Sequence, residues 1–266
     1  MPLISVAIAV LLYLLATGLL LRGSMRGSDG RGWVPVAALA LVFHAEYHVE
    51  AWKLAQGPDM HLFAALSLVA LGMALLVTVA GAFGRMAALG LVVFPIAALS
   101  VLGYAAYGHV RAETLDWRMQ LHAWCALLAY ATLAVAALLA IMLWLQERAL
   151  RRHQLRHWLR LLPPLTELET LLFRTIAVGF VLLSATLLTG VLFVHNLLAQ
   201  HLVHKTVLSV LSWLLFGWLL FARWRYGWRG PKAVAWTLVA MALLVLAFFG
   251  SKFVLEMVLH RSLDTV

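Results

Sequence analysis

The sequence predicts an all-α, polytopic membrane helical bundle of about eight transmembrane helices, and three observations predict it. Hydrophobic residues make up 64% of the 266-residue chain and charged residues 12%, about half the charged share of a soluble domain. Mean hydropathy is +0.96. Apolar runs long enough to cross a hydrocarbon layer as a helix recur from end to end. Alternating strand patterning is missing, which argues against a barrel.

The first span, 3–21, has no basic residue before it, so it reads as a retained helix with its N-terminus outside, not a cleaved signal. The second, 34–53, is unusual because "FHAEYHVEAW" (43–52) sets two histidines and two glutamates in an apolar run. His44 lies ~16 Å along it, near the bilayer middle, with His48 one turn further out on the same face. Glu46 points roughly the opposite way, and Glu50 is within reach of Lys53 at i,i+3. The third and fourth spans, 61–80 and 87–107, are plain apolar runs. The fifth, 119–145, opens on His122 and holds Cys125, the single cysteine. The sixth, 170–195, closes on His195. The seventh, 205–222, follows His204, and the eighth, 234–256, stops short of His260. The fifth and sixth are long and protrude or tilt. Between them "QERALRRHQLRHWLRLLPPL" (146–165) reads as a cytoplasmic anchor that enforces topology. Its other reading is a basic amphipathic helix that docks a partner or anionic lipid. With no repeat and no low-complexity linker, the chain reads as one integral-membrane domain, 1–266.

Basic residues set the direction. The gaps 22–33, 81–86, 146–169 and 223–233 hold thirteen Lys and Arg, against six on the other side. This positive-inside bias puts both termini outside the cytoplasm. The same clustering in short gaps explains the net charge of +9 without nucleic acid. A lone cysteine rules out an internal disulfide and a Cys-rich metal site.

Nine of the eleven histidines then fall in the outer half of the membrane or its loops, with only His153 and His157 inside. Imidazole is costly to bury unpaired, so the bias points to a site. A metallopeptidase would need glutamate directly after the first histidine of H-E-x-x-H, and Ala45 stands there. A transition-metal path has no defined ligand set, with acids inside the membrane limited to Glu46 and Glu50 and only Glu256 at the very end of the eighth span. Haem needs one or two axial imidazoles in an apolar, aromatic pocket. Eleven tryptophans, among them Trp52, Trp117, Trp124, Trp213 and Trp218, suit that pocket, although an interfacial belt uses the same residues. For each histidine alone, an interfacial position or a helix–helix hydrogen bond is the plain alternative.

From His122 onward the order of short motifs resembles the cytochrome c assembly family of membrane proteins, whose members include CcsA, CcmC and HemX. The residues are "LHAWCALLAYATLAVAALLAIMLWLQE" (121–147), "LPPLTELETLLFRTIAVGFVLLSATLLTG" (162–190), "VHNLL" (194–198) and "HKTVLSVLSWLLF" (204–216). "GWRG" (227–230) and "AFFGSKF" (247–253) complete the set, and "VFHA" (42–45) is similar to one branch of the family. The resemblance implies a non-enzymatic, haem-interacting protein of a bacterial inner membrane, holding or relaying haem by histidine coordination for cytochrome c biogenesis. Its partners would be haem and cytochrome c assembly or haem-biosynthesis proteins. On matching positions His122 is similar to the first external haem-ligand histidine, His260 to the second, and His44 to an intramembrane histidine. His195, His48 and His204 complete the candidate set. Two family features of haem transport are missing: a tryptophan-rich segment with a W-D pair before "HKTVLSVLSW", and a late histidine in the following helix, near Phe221. A non-transporting, HemX-like regulator or scaffold acting on haem biosynthesis or another membrane complex is therefore the alternative.

Overall fold

The computed structural model describes residues 2–26, 30–83, 86–108, 116–152, 164–193 and 203–250, and among them every regular element is helical. The helices are α1 (Pro2–Arg26), α2 (Trp33–Ala55), α3 (Leu62–Ala82), α4 (Gly90–Tyr107), α5 (Trp117–Arg151), α6 (Leu165–Phe193), α7 (Val203–Tyr226) and α8 (Gly230–Val245). A 3-10 turn, Ala87–Leu89, leads into α4, and a π-helical turn, Leu246–Gly250, continues α8. Seven of the eight are long and apolar enough to cross a membrane, so a membrane helical bundle is the architecture. The exception is α2, whose two histidines, two glutamates and Lys53 lower its hydropathy. Large apolar side chains face outward, with Leu11, Leu99 and Val181 each about two-thirds exposed at 67%, 69% and 66%. Such surfaces are liabilities in water and ordinary against lipid.

The chain folds as two compact units, the first built from α1–α4 and the second from α5–α8. In the first, α1 packs on α2 and α4, while α3 packs on α2 and α4. That closes a four-helix ring in chain order. The second unit repeats the pattern, with α5 against α6 and α8, and α7 against α6 and α8. Short connections favour neighbours of this kind.

Several helix ends depart from the sequence expectation, each for a local reason. α5 runs to Arg151 because Gln146 and Ala149 are buried and Glu147 pairs with Arg151 at 2.6 Å. The first six residues of the basic stretch therefore extend a span; residues 153–163 of it lie outside the described ones. At its other end, the Asp116 carboxylate accepts the Trp117 amide at 2.8 Å, an N-cap. α6 starts at Leu165 because the Pro164 carbonyl already accepts the amides of Glu167 and Leu168, and Leu168 and Leu171 are buried. α8 starts at Gly230, whose amide donates to Glu169 of α6 at 2.9 Å, and Pro231 suits the first turn. Both glycines of "GWRG" have positive φ, +65° at Gly227 and +58° at Gly230. That conformation explains the motif, since side chains rarely adopt it.

Candidate functional site

In the first unit the ionisable face of α2 turns inward. His44 is fully buried and His48 is 1% exposed. The hydroxyl of Ser67 on α3 sits between them, 2.8 Å from His44 Nε2 and 3.0 Å from His48 Nε2. On the far side of His44, Tyr13 Oη of α1 lies 3.1 Å from Nδ1. Three helices are thus tied by one row of side chains, Tyr13–His44–Ser67–His48.

The row has a direction. Tyr13 Oη–H and Ser67 Oγ–H each carry one proton, and each neutral imidazole carries one N–H. If Tyr13 donates to His44, then His44 donates from Nε2 to Ser67, and Ser67 donates to His48 Nε2. Every group is then used except His48 Nδ1–H, a buried atom without a hydrogen-bond partner. The reverse polarity would strand the Tyr13 proton as well, so the first order is favoured. His48 Nδ1 is left among rings, with His48 stacked on Tyr104 at 5.0 Å and 20° and tilted against Trp52 at 6.1 Å.

Tyr104 leads to a second buried group that sequence reasoning passed over. Its hydroxyl donates to Asp59 Oδ2 at 3.0 Å. The other oxygen, Oδ1, accepts the His61 amide at 3.0 Å and faces His61 Nδ1 at 2.6 Å. Asp59 lies in the α2–α3 connection and is fully buried. Burial pushes its carboxyl upward, but the His61 hydrogen bonds and charge, with the Tyr104 hydroxyl, hold it below its ordinary range. The available signal was an acid two residues before a histidine in a chain with only eleven acids. The glutamates of α2 point elsewhere: Glu46 accepts from Ser5 of α1 at 3.3 Å, and Glu50 pairs with Lys53 at 3.1 Å, the i,i+3 contact expected from the sequence.

In the second unit His122 lies near the start of α5, half-buried. Its Nδ1 is 3.1 Å from Thr189 Oγ1 of α6. The Thr189 hydroxyl proton is directed to the carbonyls of Ala185 and Thr186, both at 2.9 Å. With that proton on either carbonyl the oxygen faces His122 as an acceptor, the arrangement in which the imidazole proton lies on Nδ1 and Nε2 keeps its lone pair. Gly190 makes room for the ring, since a Cβ there would stand 3.2 Å from His122 Cε1.

His122 lines a cavity of about 240 Å³, open on one side, between α5, α6, α7 and the end of α8. It sits where α5 and α7 begin and α6 and α8 end, so all four helices deliver residues to one end of the unit. Tyr130, Leu183, Leu187 and Phe248 supply apolar wall, while Lys205 and Ser209 supply polar wall. Tyr130 also donates to the Leu244 carbonyl at 2.6 Å, two residues before the π-helical turn begins. π-Helical turns widen the backbone ring and gather at functional sites. An engineered cavity of about 150 Å³ holds one benzene, so this one has room for one edge of a flat macrocycle.

The sequence-derived candidates thus separate. His44 and His48 belong to the buried row of the first unit, and His122 to the cavity of the second. His204, exposed at the start of α7, is not among the residues lining that cavity. His195 and His260 lie outside the described residues. Among the described residues no cluster of three or more His, Cys, Asp or Glu is set to hold a metal ion.

Residues 33–259 match a family described as Cytochrome C assembly protein. The chain is 30% identical to the inner membrane protein YpjD of Escherichia coli K12 over 262 residues, 94% of this chain and 97% of that one. It is also 38% identical over 143 residues, 53% of each chain, to an uncharacterized 28.8 kDa protein in the nifR3-like 5' region of Azospirillum brasilense. No solved structure matches significantly.

Proposed function

The chain belongs to the cytochrome c assembly protein family, and on that premise we propose that it is a haem-interacting protein of a bacterial inner membrane, in which His122 would hold the haem iron. The observation that carries this reading is the His122–Thr189 pair. Metal-binding histidines usually donate their second ring N–H to a neighbour, which fixes the tautomer and leaves the other nitrogen for the metal. His122 has that arrangement and faces a mostly apolar cavity. The donor chemistry fits haem iron; the volume fits one edge of the ring, with the remainder outside the cavity. Bound haem would supply the iron and the redox couple. This chain's residues would orient it, keep water from the His122 side and make no bond in it, so the protein binds and is not an enzyme. Residues 194–202 and 251–266 carry His195 and His260, which we assign as further ligand candidates on family resemblance.

In this reading His44 is a hydrogen-bonding anchor. Both its ring nitrogens are engaged, and coordination would require giving up Tyr13 or Ser67. We also assign α2 as an eighth span, since its histidines and Glu46 are all met by α1 or α3, and place both termini outside the cytoplasm.

The test is the Soret band of purified protein titrated with haem. His122→Ala should abolish it, while His44→Ala should retain it. Identical spectra for wild type and His122→Ala would remove His122 as a ligand. No haem uptake by wild type, with co-isolation of a soluble partner through the basic segment after α5, would favour the HemX-like scaffold instead.

A further inference from the structure

We propose that Tyr130 sets which ligand edge the second-unit cavity admits: its hydroxyl pins the π-helical turn, and the pinned turn holds Phe248 in the wall, leaving a slot for a thin, flat ring. The proposal rests on the haem reading above and gives Tyr130 a positioning role in it. His122, Ala126 and Tyr130 all line the cavity and recur every four residues, so they share one face of α5. By the rise of the helix, Tyr130 stands about 12 Å along that face from His122.

Beside Tyr130 the wall is built from rings. The Phe248 ring lies 5.8 Å from that of Tyr130 and the Phe249 ring 5.5 Å, while Phe248 and Phe249 cross at 5.1 Å and 88°. Both phenylalanines belong to the turn Leu246–Gly250. A π-helical turn bonds over five residues in place of four, so it aims its side chains where a continuing α-helix would not. Here it presents Phe248 to the cavity. The buried Tyr130 hydroxyl donates to the Leu244 carbonyl just ahead of the turn. A side chain bonded into the carbonyl ladder is one cause of such departures from regular helix.

Full-length protein in neutral detergent is titrated with haem and with iron tetraphenylporphyrin, which keeps the metal and ring but carries phenyl groups across the plane at its edges. Wild type should bind haem at least about tenfold more tightly, the scale on which an apolar pocket discriminates by size. Phe248→Ala should shrink that preference by admitting the thicker porphyrin. Tyr130→Phe, which keeps the ring and loses the hydroxyl, should shrink it in the same direction. In hydrogen exchange without ligand, the amides of Leu246–Gly250 should exchange several-fold faster in Tyr130→Phe than in wild type. His122→Ala should lose the Soret shift with either porphyrin. A preference left unchanged by either variant, or unchanged exchange in the turn, overturns the positioning role, and equal wild-type affinity for the two porphyrins overturns the slot. Each of these leaves the haem reading standing, whereas absence of binding by wild type to either porphyrin overturns both.

Discussion

At the scale of single residues, Ser67 matters more than its chemistry suggests. One hydroxyl serves two buried imidazoles, 2.8 Å from His44 Nε2 and 3.0 Å from His48 Nε2, and in the favoured order it accepts from the first and donates to the second. Replacing it with alanine leaves a donor on one ring and an acceptor on the other without partners. Polar contacts inside membrane proteins are typically worth ~0.6–2 kcal/mol each, and a stranded buried group costs ~1–3 kcal/mol. Ser67→Ala should therefore lower the Tm of detergent-solubilised protein by several degrees; an unchanged melt would show that the row is not a structural tie. Asp59 yields a prediction in pH. A carboxyl held below its ordinary range stabilises the fold above that range, and the contribution disappears as pH falls through the lowered value. Melts should lose stability on acidification below about pH 4, and Asp59→Asn should already be destabilised at neutral pH and flatter in that window. Parallel acid profiles for the two proteins would contradict the assignment.

At the scale of elements, the close approach of α5 and α6 depends on a missing side chain. A Cβ built at Gly179 would meet Leu133 Cδ2 at 2.5 Å, and Leu133 is fully buried. Gly179→Ala should cost about 1–3 kcal/mol through overpacking, although alanine is the better helix former in isolation. Combining it with Leu133→Ala should give a loss smaller than the sum of the two single losses. Strict additivity in thermal melts would mean that the helices separate freely at this point. The same pair of helices holds Thr189 against His122, so a shift here reaches the cavity.

At the scale of the whole molecule, two four-helix rings share one chain. Each ring holds polar groups between its helices: the first has the histidine row, the second the His122 cavity. The proposed orientation rests on where the arginines lie, and it has a direct measurement. In a Cys125→Ser background, Leu3→Cys and Thr265→Cys should react with a membrane-impermeant maleimide on intact cells, and Ser24→Cys should not. Labelling of Ser24→Cys alone would reverse the topology.

The helical membrane class, the approximate positions of the spans and the family resemblance were legible in the residues, because lipid demands long apolar helices and each helix leaves a local record in hydropathy. The Glu50–Lys53 pair was legible for the same reason, being three residues apart on one helix. Ser67, Tyr13 and Asp59 were not. A serine or tyrosine in an apolar run gives no hint of which ring on another helix it will meet, and Asp59 reaches Tyr104 across 45 residues of chain. The tautomer of His122 and its distinction from His44 came only with the fold. Which nitrogen of an imidazole is spoken for depends on neighbours that packing, not sequence spacing, brings within 3 Å or so.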